Sequence, residues 1–200
     1  MSTLANICVY CGSATGKNPA YVEAAGVLGR AVAEAGIGLV YGGGSVGLMG
    51  ILARSVLDGG GTVTGIIPRF LVDREVLLDD LTETIVTEDM HERKMLMFER
   101  ADGFAALPGG VGTLEELVEQ LTWVQLGQHG KPVVIANIDG FWDPLIQLLD
   151  RMRGQRLILP GLDVRYAVAD KAEDVLPALE RLVASAPGAR TIAAEPLRRM

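Results

Sequence analysis

The sequence predicts an α/β protein: a doubly wound parallel sheet of about seven strands, with helices on both faces. Three observations carry this. Short apolar runs alternate with longer segments of helical periodicity. The runs are apolar enough to be buried on both faces, as the strands of a parallel sheet are. Glycine-rich turns follow three of them, at 12–16, 42–50 and 109–112.

Asn6 to Cys11 forms the first strand, and Gly12 to Gly16 is its turn. Pro19 opens a helix to Ala35, where its missing N–H and fixed φ suit the first turn. Ile37 to Tyr41 is a short apolar strand, followed by the glycine turn and a helix from about Val46 to Leu57. Thr62 to Ile67 is a third strand, expected to stop at Pro68, which has no N–H for a ladder. Phe70 to Leu81 reads as a loop with a short helix, and Thr84 to Thr87 as a fourth strand. Met90 to Ala101 is a helix, Gly103 to Leu107 a strand, and a central helix follows to about Leu126. Pro132 to Asn137 is a strand, Phe141 to Met152 a helix, Val164 to Val168 an edge strand and Ala172 to Ser185 the last helix. The expected organisation is one Rossmann-like domain over residues 1–186 and a frayed tail over 187–200. In such a sheet ligands bind at the carboxyl ends of the strands, near the topological switch point. All three glycine turns belong to that edge.

Two hundred residues, half of them hydrophobic, suffice for a full core. The net charge of −7 argues against nucleic acid as a partner, so any phosphate must be held by local donors. Neither a basic stretch leading into an apolar run nor a membrane-length apolar window is present, and the expectation is a soluble cytoplasmic protein without a membrane partner. Cys8 and Cys11 form a CxxC on a strand, where positions three apart face opposite sides. Two reduced, buried thiols fit better than a redox pair or half a zinc site.

The densest stretch is Leu107 to Glu119, LPGGVGTLEELVE. Pro108 ends a strand; Gly109, Gly110 and Gly112 allow a sharp turn and a close backbone approach to a ligand. Leu114, Leu117, Val118 and Leu121 then recur at helical spacing. The free N–H groups of the first helical turn, with the helix dipole, make an anion site over Gly109, Gly110, Val111, Gly112 and Thr113, whose hydroxyl adds a donor. Glu115 and Glu116 read as first-turn acids that complement the dipole. A carboxylate beside a phosphate also competes with it, so Glu116 either does the same or has a second task, meeting a cation or activating water.

Gly42 to Gly47 fits GxGxxG, but it follows the second strand, and no acid closes the next one to hold a ribose. Gly12 to Lys17 is one residue short of a P-loop, with Asn18 where Ser or Thr would hold magnesium, so ATP hydrolysis is rejected. Ser13 either touches a nucleotide or serves its turn. On the helix from Met90, the residues Met90, Arg93, Lys94 and Met97 share one face. Cations on that stripe either snorkel to solvent or enter a pocket. The chain has two histidines, His91 and His129, so no histidine metal site is expected.

PGGVGTLEE resembles the PGGxGTxxE signature of the Lonely Guy family, and Met90-His91-Glu92-Arg93-Lys94 resembles its second signature. Members are phosphoribohydrolases that release a free base from nucleoside 5′-monophosphates, and many carry the label "lysine decarboxylase". The match runs from about Ile7 to about Pro160. The resemblance implies Arg93 and Glu116 as catalytic residues. It brings Gly43 and Gly44, in YGGGSVGLMG, into the nucleotide pocket, and adds Glu75, Met90, Lys94, Glu115 and Thr122 as substrate contacts beside Ser13 and the 109–113 loop. Trp123 either lines the base pocket or serves a core or interface. The resemblance further implies a homodimer, motivated in sequence by apolar helix positions around Leu121, Trp123 and Leu126, and no metal or organic cofactor. The implied reaction is hydrolysis of the N-glycosidic bond of AMP or a cytokinin riboside monophosphate. The alternatives are a non-catalytic nucleotide-binding or carrier module on the same fold and a pyridoxal phosphate decarboxylase, for which none of the four lysines has a recognisable context.

Overall fold

The computed structural model describes residues 4–72, 77–159 and 161–185. Seven strands form one parallel sheet in the order β4-β3-β2-β1-β5-β6-β7. They are β1 (Asn6–Tyr10), β2 (Gly38–Tyr41), β3 (Val63–Pro68), β4 (Glu83–Thr87), β5 (Gly103–Ala106), β6 (Val133–Ala136) and β7 (Ala167–Ala169). The order reverses at the β1/β5 pair, where Ile7 lies beside Gly103 and Tyr10 beside Ala106. That pair is the switch point, and the crevice above it is where such sheets bind ligands.

Side-chain alternation along the strands builds two cores. Ile7, Val9 and Cys11 pack with α1 (Pro19–Glu34), α2 (Gly47–Asp58) and α7 (Val175–Ser185). Cys8, Tyr10, Phe104 and Ala106 pack on the other face with α4 (Met90–Arg100), α5 (Val111–Gln125) and α6 (Asp143–Gly154). The two cysteines therefore lie on opposite faces, both free and buried. Burial pushes both thiols far above their ordinary pKa, and the Glu116 carboxylate pushes the same way, so neither is a redox thiolate.

Some boundaries differ from those read in the sequence. β3 stops at Pro68 as expected but includes it, paired with Thr87 of β4. The neighbour on its other side, β2, stops pairing at Gly65, so no partner there needs the missing N–H. Among the described residues, the stretch after it holds one helical turn, α3 (Arg69–Val72), and Leu77 bridges to Gly44. β7 pairs over Ala167–Ala169, later than Val164 to Val168. α6 begins at Asp143, not Phe141, because a tight turn over Ile138–Gly140 precedes it. The Asn137 side chain fixes that turn, accepting from Trp142 N–H at 2.8 Å and donating to Asp143 at 2.8 Å. Glu75 and the tail expected over 187–200 lie outside the described residues.

Candidate active site

Three glycine turns stack on one another at the carboxyl edge. Gly12 N–H donates to Pro108 O at 3.1 Å, and Gly12 O accepts from Leu48 N–H at 3.0 Å and Met49 N–H at 3.3 Å. The turn after β1 is thus tied to the turn after β5 on one side and to the start of α2 on the other. Gly47, at φ +64°, lies against the main chain of Ser13, where a Cβ would collide. Backbone conformation and lack of room both demand glycine there. A cleft of about 260 Å³ opens beside these turns, lined in part by Gly12 to Gly16, Tyr21, Pro108 to Gly110 and Phe141.

α5 starts at Val111 with Gly110 as its cap, and no side chain caps it. A Cβ at Gly110 or Gly112 would meet nothing within 4 Å, whereas one at Gly109 would collide with buried Thr113. The loop is therefore open on its outer side and packed on its inner side. This start places Glu115 and Glu116 in the second helical turn, not the first as the sequence suggested. The dipole's effect fades within the first turn, so another partner must account for each acid.

The partners come from α4. Its N-terminus is well specified: Asp89 accepts from the N–H groups of His91 and Glu92 at 2.8 and 2.9 Å, and Glu92 accepts from Glu88 N–H. One turn on, Arg93 faces inward and is buried. Its Nη2 stands 3.5 Å from Glu116 Oε1, with side chains only 8% and 12% exposed. Nη1 reaches Met90 Sδ at 3.9 Å, and buried Nε has no hydrogen-bond partner among the described residues. Isolating one cation and one carboxylate this way costs desolvation energy that such a pair seldom recovers. An arrangement of that kind suits chemistry better than stability.

Lys94 sits beside this pair but is differently engaged. Its Nζ donates to Glu115 at 2.7 Å and Glu119 at 2.8 Å. Burial works to lower its pKa, but the two carboxylates outweigh that and hold it above the ordinary lysine value. Lys94 and Glu115 thus clamp α4 to α5. Glu116's charge is also felt beneath it: burial, with help from Cys8 and Glu116, raises the Tyr10 hydroxyl well above its ordinary pKa. The acid therefore hangs over the carboxyl end of β1, beside the switch point.

The other residues singled out in the sequence fall in several places. Ser13 is exposed at the rim of the cleft. Gly43 and Gly44 are buried, and the segment after β3 covers them: Leu78 N–H donates to Gly43 O, and Leu77 bridges Gly44. Met90 is half-buried against Arg93. Thr122 lies on the exposed face of α5, where its hydroxyl bonds back to Val118 O at 2.7 Å. Trp123 packs edge-on against Phe98 of α4, away from the glycine loop. The sequence reading missed Tyr21 and Phe141, whose rings meet edge to face at 5.5 Å in the cleft wall. They lie 120 residues apart, so no local pattern signals their meeting.

A family profile described as "possible lysine decarboxylase" matches residues 49–179. The rice (Oryza sativa subsp. japonica) protein named cytokinin riboside 5′-monophosphate phosphoribohydrolase LOG is 47% identical over 96% of this chain and 72% of its own length. An Arabidopsis thaliana relative of the same name, LOG7, is 46% identical over 90% of this chain and 82% of its own. Among solved structures, a molybdenum cofactor carrier protein from Chlamydomonas reinhardtii shares the fold, with a TM-score of 0.68 at 22% identity, over 92% of this chain and all 100% of its own. A structural-genomics target, TM1055, does so with a TM-score of 0.67 at 27% identity, over 88% and 98%. The carrier's likeness speaks for the fold alone. Identity close to one half across nearly the whole length is a different matter, and by it the chain belongs to the Lonely Guy family, alongside the cytokinin riboside 5′-monophosphate phosphoribohydrolases.

Proposed function

We propose that this protein hydrolyses the N-glycosidic bond of nucleoside 5′-monophosphates, releasing the base and ribose 5-phosphate. The observation that carries the reading is the buried Arg93–Glu116 pair, placed one helical turn beyond an open, uncapped glycine loop. The 5′-phosphate sits on the N–H groups of Gly110 to Thr113. Five residues separate Val111 from Glu116, about 7.5 Å along the helix axis. That spacing suits a ribose held by its phosphate with C1′ near the carboxylate. As the bond from C1′ to the base breaks, positive charge builds on the sugar. Glu116, paired with Arg93, stabilises that charge and takes a proton from the water that adds to C1′. The departing base takes up a proton from solvent and Glu116 returns to solvent the one it took, so that one water is consumed for each bond broken.

The relatives' names point to cytokinin riboside 5′-monophosphates as substrates, and AMP presents the same phosphate and ribose. A decarboxylase reading finds less support. Lys94 is claimed by two carboxylates, and Lys131 donates to Phe98 O at 2.6 Å beside the amino end of β6.

A homodimer is part of the proposal. Leu121, invoked from the sequence, is buried. The exposed large apolar residues of α5 are Val111, Leu114 and Val118, with Leu126 just past its end, and Val111 is 83% exposed. With Leu145 and Leu148 of α6, the first two line an open apolar groove, a face suited to a second copy. Two buried free thiols suit a reducing cytoplasm.

The test is chromatographic detection of base released from AMP and isopentenyl-AMP by wild type and Glu116→Ala. Release by wild type, reduced about 10²–10⁴-fold in the variant, is the expected result. Nucleotide binding without release from either substrate would replace the hydrolase reading with a binding module.

A further inference from the structure

We propose that Gly42 is a positioning residue for the Arg93–Glu116 pair, an inference that rests on reading that pair as the catalytic centre. Gly42 directly follows β2 and is buried. Its neighbours Gly43 and Gly47 sit at φ +84° and +64°, conformations that favour glycine. Gly42 is not among the positive-φ glycines, so its φ does not call for glycine. Space is what requires glycine here. A Cβ at this position would collide with Arg93 Nη2, and would stand 3.6 Å from Cζ and 3.2 Å from Met49 Sδ. The guanidinium therefore rests directly on the main chain at the end of β2.

Among the described residues, few hydrogen bonds hold that guanidinium. Glu116 lies 3.5 Å from Nη2, Met90 Sδ 3.9 Å from Nη1, and Nε has no partner. Its position is set by shape, with the bare backbone of Gly42 as the floor. A floor one methyl group higher would push the head group off its line to Glu116.

The same geometry separates function from folding. At Gly47 an added Cβ would strike the main chain of Ser13, and the stacked turns would have to part. At Gly42 the atom struck is the tip of a long side chain, which can swing aside. Alanine at 42 should therefore leave the fold standing and move the arginine.

The experiment measures base release from AMP by wild type, Gly42→Ala, Arg93→Lys and the double variant. It adds melting temperatures and a crystal structure of Gly42→Ala. The single glycine variant should melt within a few degrees of wild type, lose about tenfold or more in kcat, and keep KM within about twofold. In the Arg93→Lys background the same change should cost less than about threefold, because lysine lacks the Nη2 atom that the Cβ meets. Equal losses in both backgrounds, or no loss in kcat, would overturn the positioning role and leave the catalytic pair standing. If wild type releases no base, or Arg93→Lys is too slow to measure, the crystal structure decides. A guanidinium displaced from Glu116 upholds the role of Gly42, and one still at the wild-type separation overturns it.

Discussion

Arg93 and Glu116 illustrate how little a residue's type says about its fate. Arg93 and Lys94 are adjacent cations on one helix, yet one is buried against Glu116 and the other bridges Glu115, which is half-exposed, and Glu119, which is largely buried. The difference follows from about 100° of helical rotation between neighbours. His129 shows the same dependence on surroundings. Its ring stands 5.1 Å from Phe98 and 5.7 Å from Phe104, and its Nδ1 accepts from Lys131 N–H at 3.1 Å. Burial, followed by the positive charge of Lys131, lowers its pKa to about 4. Below the ordinary histidine value the unfolded chain binds a proton that the folded one refuses. Stability contributed by neutral His129 is therefore full above about pH 6.5 and is lost as the pH falls towards 4. The ring is part-exposed, so solvent screening reduces the effect to about 1–2 kcal/mol. Thermal melts of wild type and His129→Gln from pH 7 to 4 check this: the wild type should lose more over that range, and parallel curves would refute it.

At the scale of elements, the site is the meeting of two helix starts with three turns. α5 supplies the open N–H groups and Glu116, α4 supplies Arg93, and the turn after β2 supplies the surface on which the guanidinium rests. The loop's glycines divide into two kinds. Gly109 is packed against Thr113, while Gly110 and Gly112 face open space. Gly112→Ala should then stabilise α5 by about 0.5–1 kcal/mol through helix propensity. If that space receives the phosphate, the same change should raise KM for AMP about tenfold. Melting and steady-state kinetics on one variant read both effects. A higher melting temperature with unchanged KM would place the phosphate elsewhere.

Across the whole molecule, the strand order places the β1/β5 switch point under the glycine loop, and two cores fix the sheet from both faces. Among the described residues, the α5–α6 face around Val111, Leu114 and Leu148 carries an apolar groove. If it joins two copies, Val118→Asp should shift the protein from dimer to monomer in sedimentation velocity. An aspartate there would bury an unpaired charge in the interface, raising the dimer dissociation constant about a hundredfold or more. A wild type that sediments as a monomer would remove this part of the proposal.

Much of this protein was legible in the chain alone, for a physical reason: the signals are local. Apolar runs, proline stops and glycine turns announce a parallel sheet and its carboxyl edge, and PGGVGTLEE with MHERK points to the family. What the chain could not state depends on distances between segments far apart in sequence. The helix start at Val111 moved both acids out of the first turn, and only packing against α4 assigned Glu116 to Arg93 and Glu115 to Lys94. The same holds for Gly42, whose φ does not call for glycine. Its need for glycine comes from a side chain 51 positions away, which only the tertiary structure brings against it.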